Sequence, residues 1–233
     1  MDLTIEQHTY GITRIIIVLL LLIGSSYMFL VFYKKRRLPA FYVGMTLLLA
    51  AFIFLYTVIE YFSFLLGYIP DISLIVFIFA ILGSGSAIPW CVILGKIDKR
   101  WNIAFYITLI LFIIGLINIT FFNQLLIFRN ELGYLTHVYA FPTSIIGVGF
   151  LIASLVVSGG MIKLAFKDRT SPSGLFLLMI GMAGILHTLT RMIWILNIIN
   201  DIGASIMAGI YTTIIILGEH QPAFLLNIWL LKK

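Results

Sequence analysis

The chain has 233 residues, of which 62% are hydrophobic and only 10% charged, with a mean hydropathy of +1.14. Soluble domains carry about 45–50% apolar and about 25% charged residues, so an ordinary soluble fold is excluded and lipid is the solvent that fits. The net charge of +6 does not indicate nucleic acid, because the basic residues sit in short clusters between apolar runs.

In chain order the apolar segments fall at about 11–33, 38–62, 72–95, 101–123, 139–165, 173–198 and 204–230. In lipid each is expected to be helical, because unpaired backbone amides are too costly there. Residues 1–233 are therefore read as one all-α integral membrane domain, a bundle of seven transmembrane helices. Asp2 and Glu6 precede the first run without a basic leader or a small-residue cleavage site, so span 1 is read as its own insertion signal. The segment between spans 4 and 5, residues 124–138, is read as the longest loop. Cys91 lies alone within span 3, which excludes an internal disulfide.

Basic residues set the orientation. Lys34, Lys35, Arg36 and Arg37 follow span 1, and Lys96, Lys99 and Arg100 follow span 3. Lys163, Lys167 and Arg169 end span 5, and Lys232 and Lys233 end span 7, which puts twelve of the fifteen basic residues on one side. The other side carries Asp2, Glu6, Asp71, Glu131 and Asp201, with Glu60 close by, and its basic residues are Arg129 and Arg14 at the start of span 1. The positive-inside bias makes the first side cytoplasmic, placing the N-terminus outside and the C-terminus inside a plasma membrane. Trp101 and Trp229 mark span ends on that same side.

A constant shift of 133 aligns Ser25 with Ser158, Met28 with Met161, Lys34 with Lys167, Arg36 with Arg169 and Pro39 with Pro172. The same shift brings Gly85 onto Gly218 and Pro89 onto Pro222. Spans 1–3 (11–95) thus map onto spans 5–7 (139–230), with span 4 (101–123) as the linker. Three helices are an odd number, so parallel copies need that extra helix, giving the 3+1+3 plan of some transporters. Apolar helices also align cheaply with one another, and the repeat stays an expectation.

Polar groups inside a membrane are costly and mark functional positions. Span 6 carries His187 and Arg191, four residues apart on one face, with Trp194 a turn further on. Span 7 carries Glu219 and His220 beside Gly218 and Pro222, where a bend is expected because proline removes a backbone donor. A ligand-binding site is expected from Glu60, His187, Arg191, Trp194, Glu219 and His220, with Glu60 pairing to Arg191. Glu219 is expected to face the bundle, with His187 as the nearest cation. Span 7 holds no lysine before Lys232, so a retinal Schiff base is excluded. Bis-histidine haem would require His187 and His220 to face each other, and zinc would require both with Glu219. No phosphate loop or nucleophile motif is present, so neither a cofactor nor an enzymatic activity is expected.

With the spans placed, the aromatic run YTVIEYF at 56–62 holds an acid at Glu60. Gly85 and Pro89 follow in span 3, and His137 and Tyr139 open span 5. Over about residues 10–190 this resembles the seven-helix N-terminal sensor region of histidine kinases. His187 and Arg191 depart from that family. The chain ends at Lys233, where those proteins continue into a signalling domain. The resemblance implies a free-standing sensor that binds a small ligand and signals through a separate cytoplasmic partner. A small solute carrier of 3+1+3 architecture is the alternative. Carriers of that plan pair proline with glutamine, whereas span 1 has no proline and Pro142 is followed by Thr143.

Overall fold

The computed structural model describes residues 3–168, 171–195, 201–220 and 229. Six of its helical segments are long and apolar enough to cross a bilayer, and a shorter apolar helix covers Ile206–His220. The chain is a multi-pass membrane protein. Its elements are α1 (Ile5–Lys35), α2 (Leu38–Leu65), α3 (Ser73–Ser84), α4 (Ala87–Ile97) and α5 (Asn102–Phe122). After them come β1 (Leu125–Arg129), β2 (Leu135–Tyr139), α6 (Thr143–Lys167), α7 (Pro172–Ile195) and α8 (Asp201–His220).

Local chemistry sets the helix ends. Thr4 and Gln7 form a reciprocal capping box at the start of α1, satisfying backbone donors that the first turn leaves unpaired. Arg36 ends α1 in the left-handed conformation, and Pro39 sits in the first turn of α2, where its missing N–H costs nothing. The third apolar segment is broken into α3 and α4 around Gly85–Ser86. Pro89 cannot donate to the Gly85 carbonyl, and Ile88 N–H serves that carbonyl in a tighter turn instead. The run read as one span at 72–95 is thus interrupted where Gly83, Gly85 and Pro89 cluster.

The expected loop at 124–138 is a β-hairpin. Leu125 pairs with Tyr139 and Arg129 with Leu135 in antiparallel register. Asn130 organises its turn, its side-chain carbonyl accepting from Leu132 and Tyr134 N–H. Gly133, at φ +82°, supplies the left-handed residue that the turn needs. Because the strand pairing runs through Tyr139, α6 begins at Thr143, four residues later than the span expected at 139.

Packing closes six rods into a ring: α1 against α2, α2 against α3 and α4, α4 against α6, α6 against α7, α7 against α8, and α8 against α1. α5 lies outside the ring, touching α4 and α6, and buries Thr108, Gly115 and Ile119. The main core runs along the ring's interior, with Leu21, Met28, Val43, Cys91, Val157, Met161 and Ile180 among its most buried members. Close helix approach relies on small residues. A Cβ on Gly184 would sit 2.3 Å from both Ser158 Oγ and the Trp90 ring, and one on Gly218 would meet Met179 Cβ at 2.7 Å.

Candidate functional site: two buried carboxylates at opposite ends

The hairpin folds over one end of the bundle and meets a buried acid there. Glu60, fully buried near the end of α2, accepts at Oε1 from Arg129 Nη1 at 3.0 Å. Its Oε2 accepts from the backbone N–H of Leu135 at 2.7 Å. Arg129 also donates to the carbonyls of Gly133 (2.6 Å) and Pro70 (3.2 Å), so one guanidinium joins hairpin, helix and the loop before α3. Its planar fork suits that task better than an ammonium would. Among the described residues the partner of Glu60 is Arg129, and the expected pairing with Arg191 falls outside them. The side chains of Arg191 and Trp194 lie outside the described residues.

The same end holds an aromatic layer. Tyr134, at the hairpin tip, is fully buried and donates its hydroxyl to the Gln7 carbonyl at 3.0 Å, while Gln7 Nε2 donates to Leu132 O at 2.9 Å. Its ring packs on Tyr10 and Phe64 at centroid distances of 4.9 and 5.0 Å. Burial, then the proximity of Tyr61 and the Glu60 carboxylate, push the Tyr134 phenol well above its ordinary range. Asp71, exposed in the adjacent loop, is held below the usual carboxylate range by hydrogen bonds from Ser73.

Beneath this layer lies a residue that sequence reading placed at a span end. Arg14 is only 3% exposed, two and a half turns into α1. Its Nη2 donates to Tyr10 Oη at 3.1 Å, and its guanidinium stacks over the rings of Tyr10 (4.7 Å) and Phe54 (5.0 Å). Tyr56 Oη and His137 Nδ1 lie 3.3 Å apart where α2 meets the hairpin. Arg14, Tyr10, Phe54, Tyr56 and His137 thus form a cluster of one cation and several ring faces. The available signal was a lone arginine four residues after Tyr10, one helical turn along an apolar helix.

The second acid lies at the opposite, basic end. Glu219 is 3% exposed and faces the bundle, as expected from its sequence setting. Its cations are Lys35 Nζ at 2.8 Å and Arg37 Nη1 at 3.1 Å. This replaces His187 as the expected cation: His187 stands edge-on to the Tyr211 ring at 4.9 Å. His220 is exposed and packs on Tyr27 at 5.7 Å. Helix α8 is continuous to His220, while Pro222 and the bend expected around it fall largely outside the described residues. Trp229 donates to the Ser171 carbonyl in the loop before α7, among the basic residues of that end.

Of the six expected site residues, the four that the structure describes lie apart from one another. Glu60 belongs to the hairpin end, Glu219 and His220 to the basic end, and His187 to the wall between. Neutral bridges occupy the middle, with Trp90 Nε1 donating to Ser158 Oγ at 3.1 Å and Ser154 meeting Thr188 at 2.9 Å. Among the described residues no cluster of three metal-ligating side chains occurs. The chain matches no family model, no curated protein and no solved structure.

Proposed function

We propose that this protein is a seven-helix membrane receptor, with the hairpin end outside the cell and the basic end in the cytoplasm. It binds a small ligand at the cluster around Arg14 and signals through a separate cytoplasmic protein. The observation that carries this reading is that the α1–α2 pair ends in a polar latch at each side. At the hairpin end Gln7 and Glu60 hold the hairpin, and at the basic end Lys35 and Arg37 hold Glu219 on α8. A ligand that moves the hairpin thereby acts on α2, and α2 acts on the contact with α8. The buried guanidinium of Arg14 gives an anionic or ring-bearing solute a partner beneath the hairpin, and charges at such depth are functional by default.

Hydrogen exchange tests the coupling. Glu60→Gln weakens the latch at the hairpin end, and amides at 34–38 should then exchange faster although they lie at the other end. Unchanged exchange there would remove the basis of the receptor reading. A second reading, a small solute carrier, is favoured by the interrupted α3–α4 rod. It is also favoured by the ring order, in which α1 meets α8 just as α6 meets α4. Buried pairs at the 133-residue shift, Met28 with Met161 and Ser25 with Ser158, fit the repeat that such a carrier would use. A thermal-shift screen of small solutes, repeated on Arg14→Ala, identifies binders. Uptake of those binders into proteoliposomes would support the carrier, and binding without uptake the receptor.

A further inference from the structure

Away from both latches, α3, α5 and α6 leave a half-open crevice next to the hairpin. Its walls are apolar: Phe112 and Leu116 of α5 face Ile146 and Phe150 of α6, with Gly147 leaving space between them. A Cβ added at Gly147 would meet nothing within 4 Å. At the hairpin end of the crevice stands Thr143, only 4% exposed, whose Oγ1 has no hydrogen-bond partner. Leaving a buried hydroxyl unmatched is costly, and native proteins seldom do so.

The occupant that restores the balance has to combine an apolar body with one acceptor. A water alone would leave the apolar length of the crevice unfilled, and a buried water needs two to four polar partners. The other hydroxyls on this wall spend their protons elsewhere, Ser84 donating to Ile81 O and Tyr139 to Ala80 O. We propose that the crevice binds one acyl chain of a bilayer phospholipid, its ester carbonyl accepting from Thr143 Oγ1. Depth and direction agree with this. Thr143 is the first residue of α6, and a helix that crosses the bilayer starts near the level of the ester groups. From there the crevice follows the helix to Phe150, a rise of about 10 Å toward the bilayer centre. The flanking faces of α5 and α6 expose Ile113, Ile117, Ile145 and Val148, which places the mouth against the acyl layer.

The test is native mass spectrometry of protein reconstituted in ester phosphatidylcholine vesicles and released into mild detergent. The wild-type protein should retain one phospholipid. Gly147→Leu fills the crevice and should abolish retention, while Gly159→Leu, at an exposed position of the same helix with equal room for a side chain, should keep it. Thr143→Val preserves shape but removes the donor, and should lower retention about fivefold, the worth of one ordinary hydrogen bond. A diether phosphatidylcholine, lacking the carbonyl, should lower retention on the wild-type protein to the same degree. Equal retention by wild type and Gly147→Leu would overturn the site. Equal retention of ester and diether lipid, or of lipid by wild type and Thr143→Val, would overturn the Thr143 contact. Retention of free fatty acid in place of phospholipid would overturn the assignment of the occupant.

Discussion

Arg129→Ala tests the latch at the hairpin end most directly. The substitution leaves the Glu60 carboxylate, fully buried, with Leu135 N–H as its remaining donor of the two described. Removing one partner of a buried ion pair costs about 3–5 kcal/mol because the other charge stays uncompensated. Arg129 is itself 36% exposed, so solvent already screens part of its attraction, and the expected loss falls to about 2–3 kcal/mol. Glu60→Gln keeps the shape and an acceptor for Leu135, and should cost about 1–2 kcal/mol, the difference between a charge-assisted and a neutral hydrogen bond. In the double variant the charge that made Arg129→Ala costly is gone, so its loss should be smaller than the sum by at least about 1 kcal/mol. Unfolding by sodium dodecyl sulfate in mixed micelles measures all three. Additive losses within error would show that the two side chains do not interact, and the described latch would be wrong.

At the basic end the asymmetry should invert. Lys35 and Arg37 are about half exposed and turn to solvent when Glu219→Gln removes their anion, so this change should cost only about 1 kcal/mol. Removing both cations strands a buried carboxylate and should cost about 3 kcal/mol in the same micellar titration. Tyr134 has a raised folded-state pKa, so its contribution is present below the unfolded phenol value near pH 10 and is lost as pH rises above it. Stability of the wild-type protein should fall more steeply above about pH 10 than that of Tyr134→Phe. Gly184→Ala drives a methyl into Ser158 Oγ and the Trp90 ring, and should cost about 1–3 kcal/mol with a red-shifted tryptophan emission as the indole loses its partner. Cysteines placed at Arg129 and Glu131 should label with an impermeant reagent on intact cells, and those at Arg36 or Lys99 should not.

Hydropathy located the helices because each long run has a single way to satisfy its backbone in lipid. It read through the break in the third run, taken as one span at 72–95, because Gly83, Gly85 and Pro89 act locally without changing the hydropathy. The hairpin was illegible: Leu125–Arg129 reads LLIFR, without the alternation that marks a half-buried strand. Its pairing is set instead by the Asn130–Gly133 turn and by the acid waiting on α2. Arg129 was read at the same end of the bundle as Glu60 but not paired with it, because the two stand 69 residues apart and only the folded-back hairpin brings them together. Glu219 was expected to find its nearest cation in His187. Its cations are instead Lys35, at the end of α1, and Arg37, just before α2, which the sequence order alone does not bring to α8.

The positions of the two acids explain why the polar residues spread rather than converge. Arg37, at the start of α2, and Glu60 are separated along the helix by about 34 Å at 1.5 Å per residue. That is close to the roughly 30 Å of bilayer hydrocarbon. Each carboxylate is therefore buried against protein yet lies where a cation at the headgroup level reaches it without crossing the apolar layer. A pairing with mid-membrane His187 would have required both groups to be desolvated together. With a latch at each boundary, α2 is held at both ends against different neighbours, the hairpin at one side and α8 at the other. A close-packed interior transmits displacement rather than absorbing it. An axial shift of α2 that shortens the contact at the hairpin end must then lengthen the one at Glu219, and the two latches strain in opposite senses.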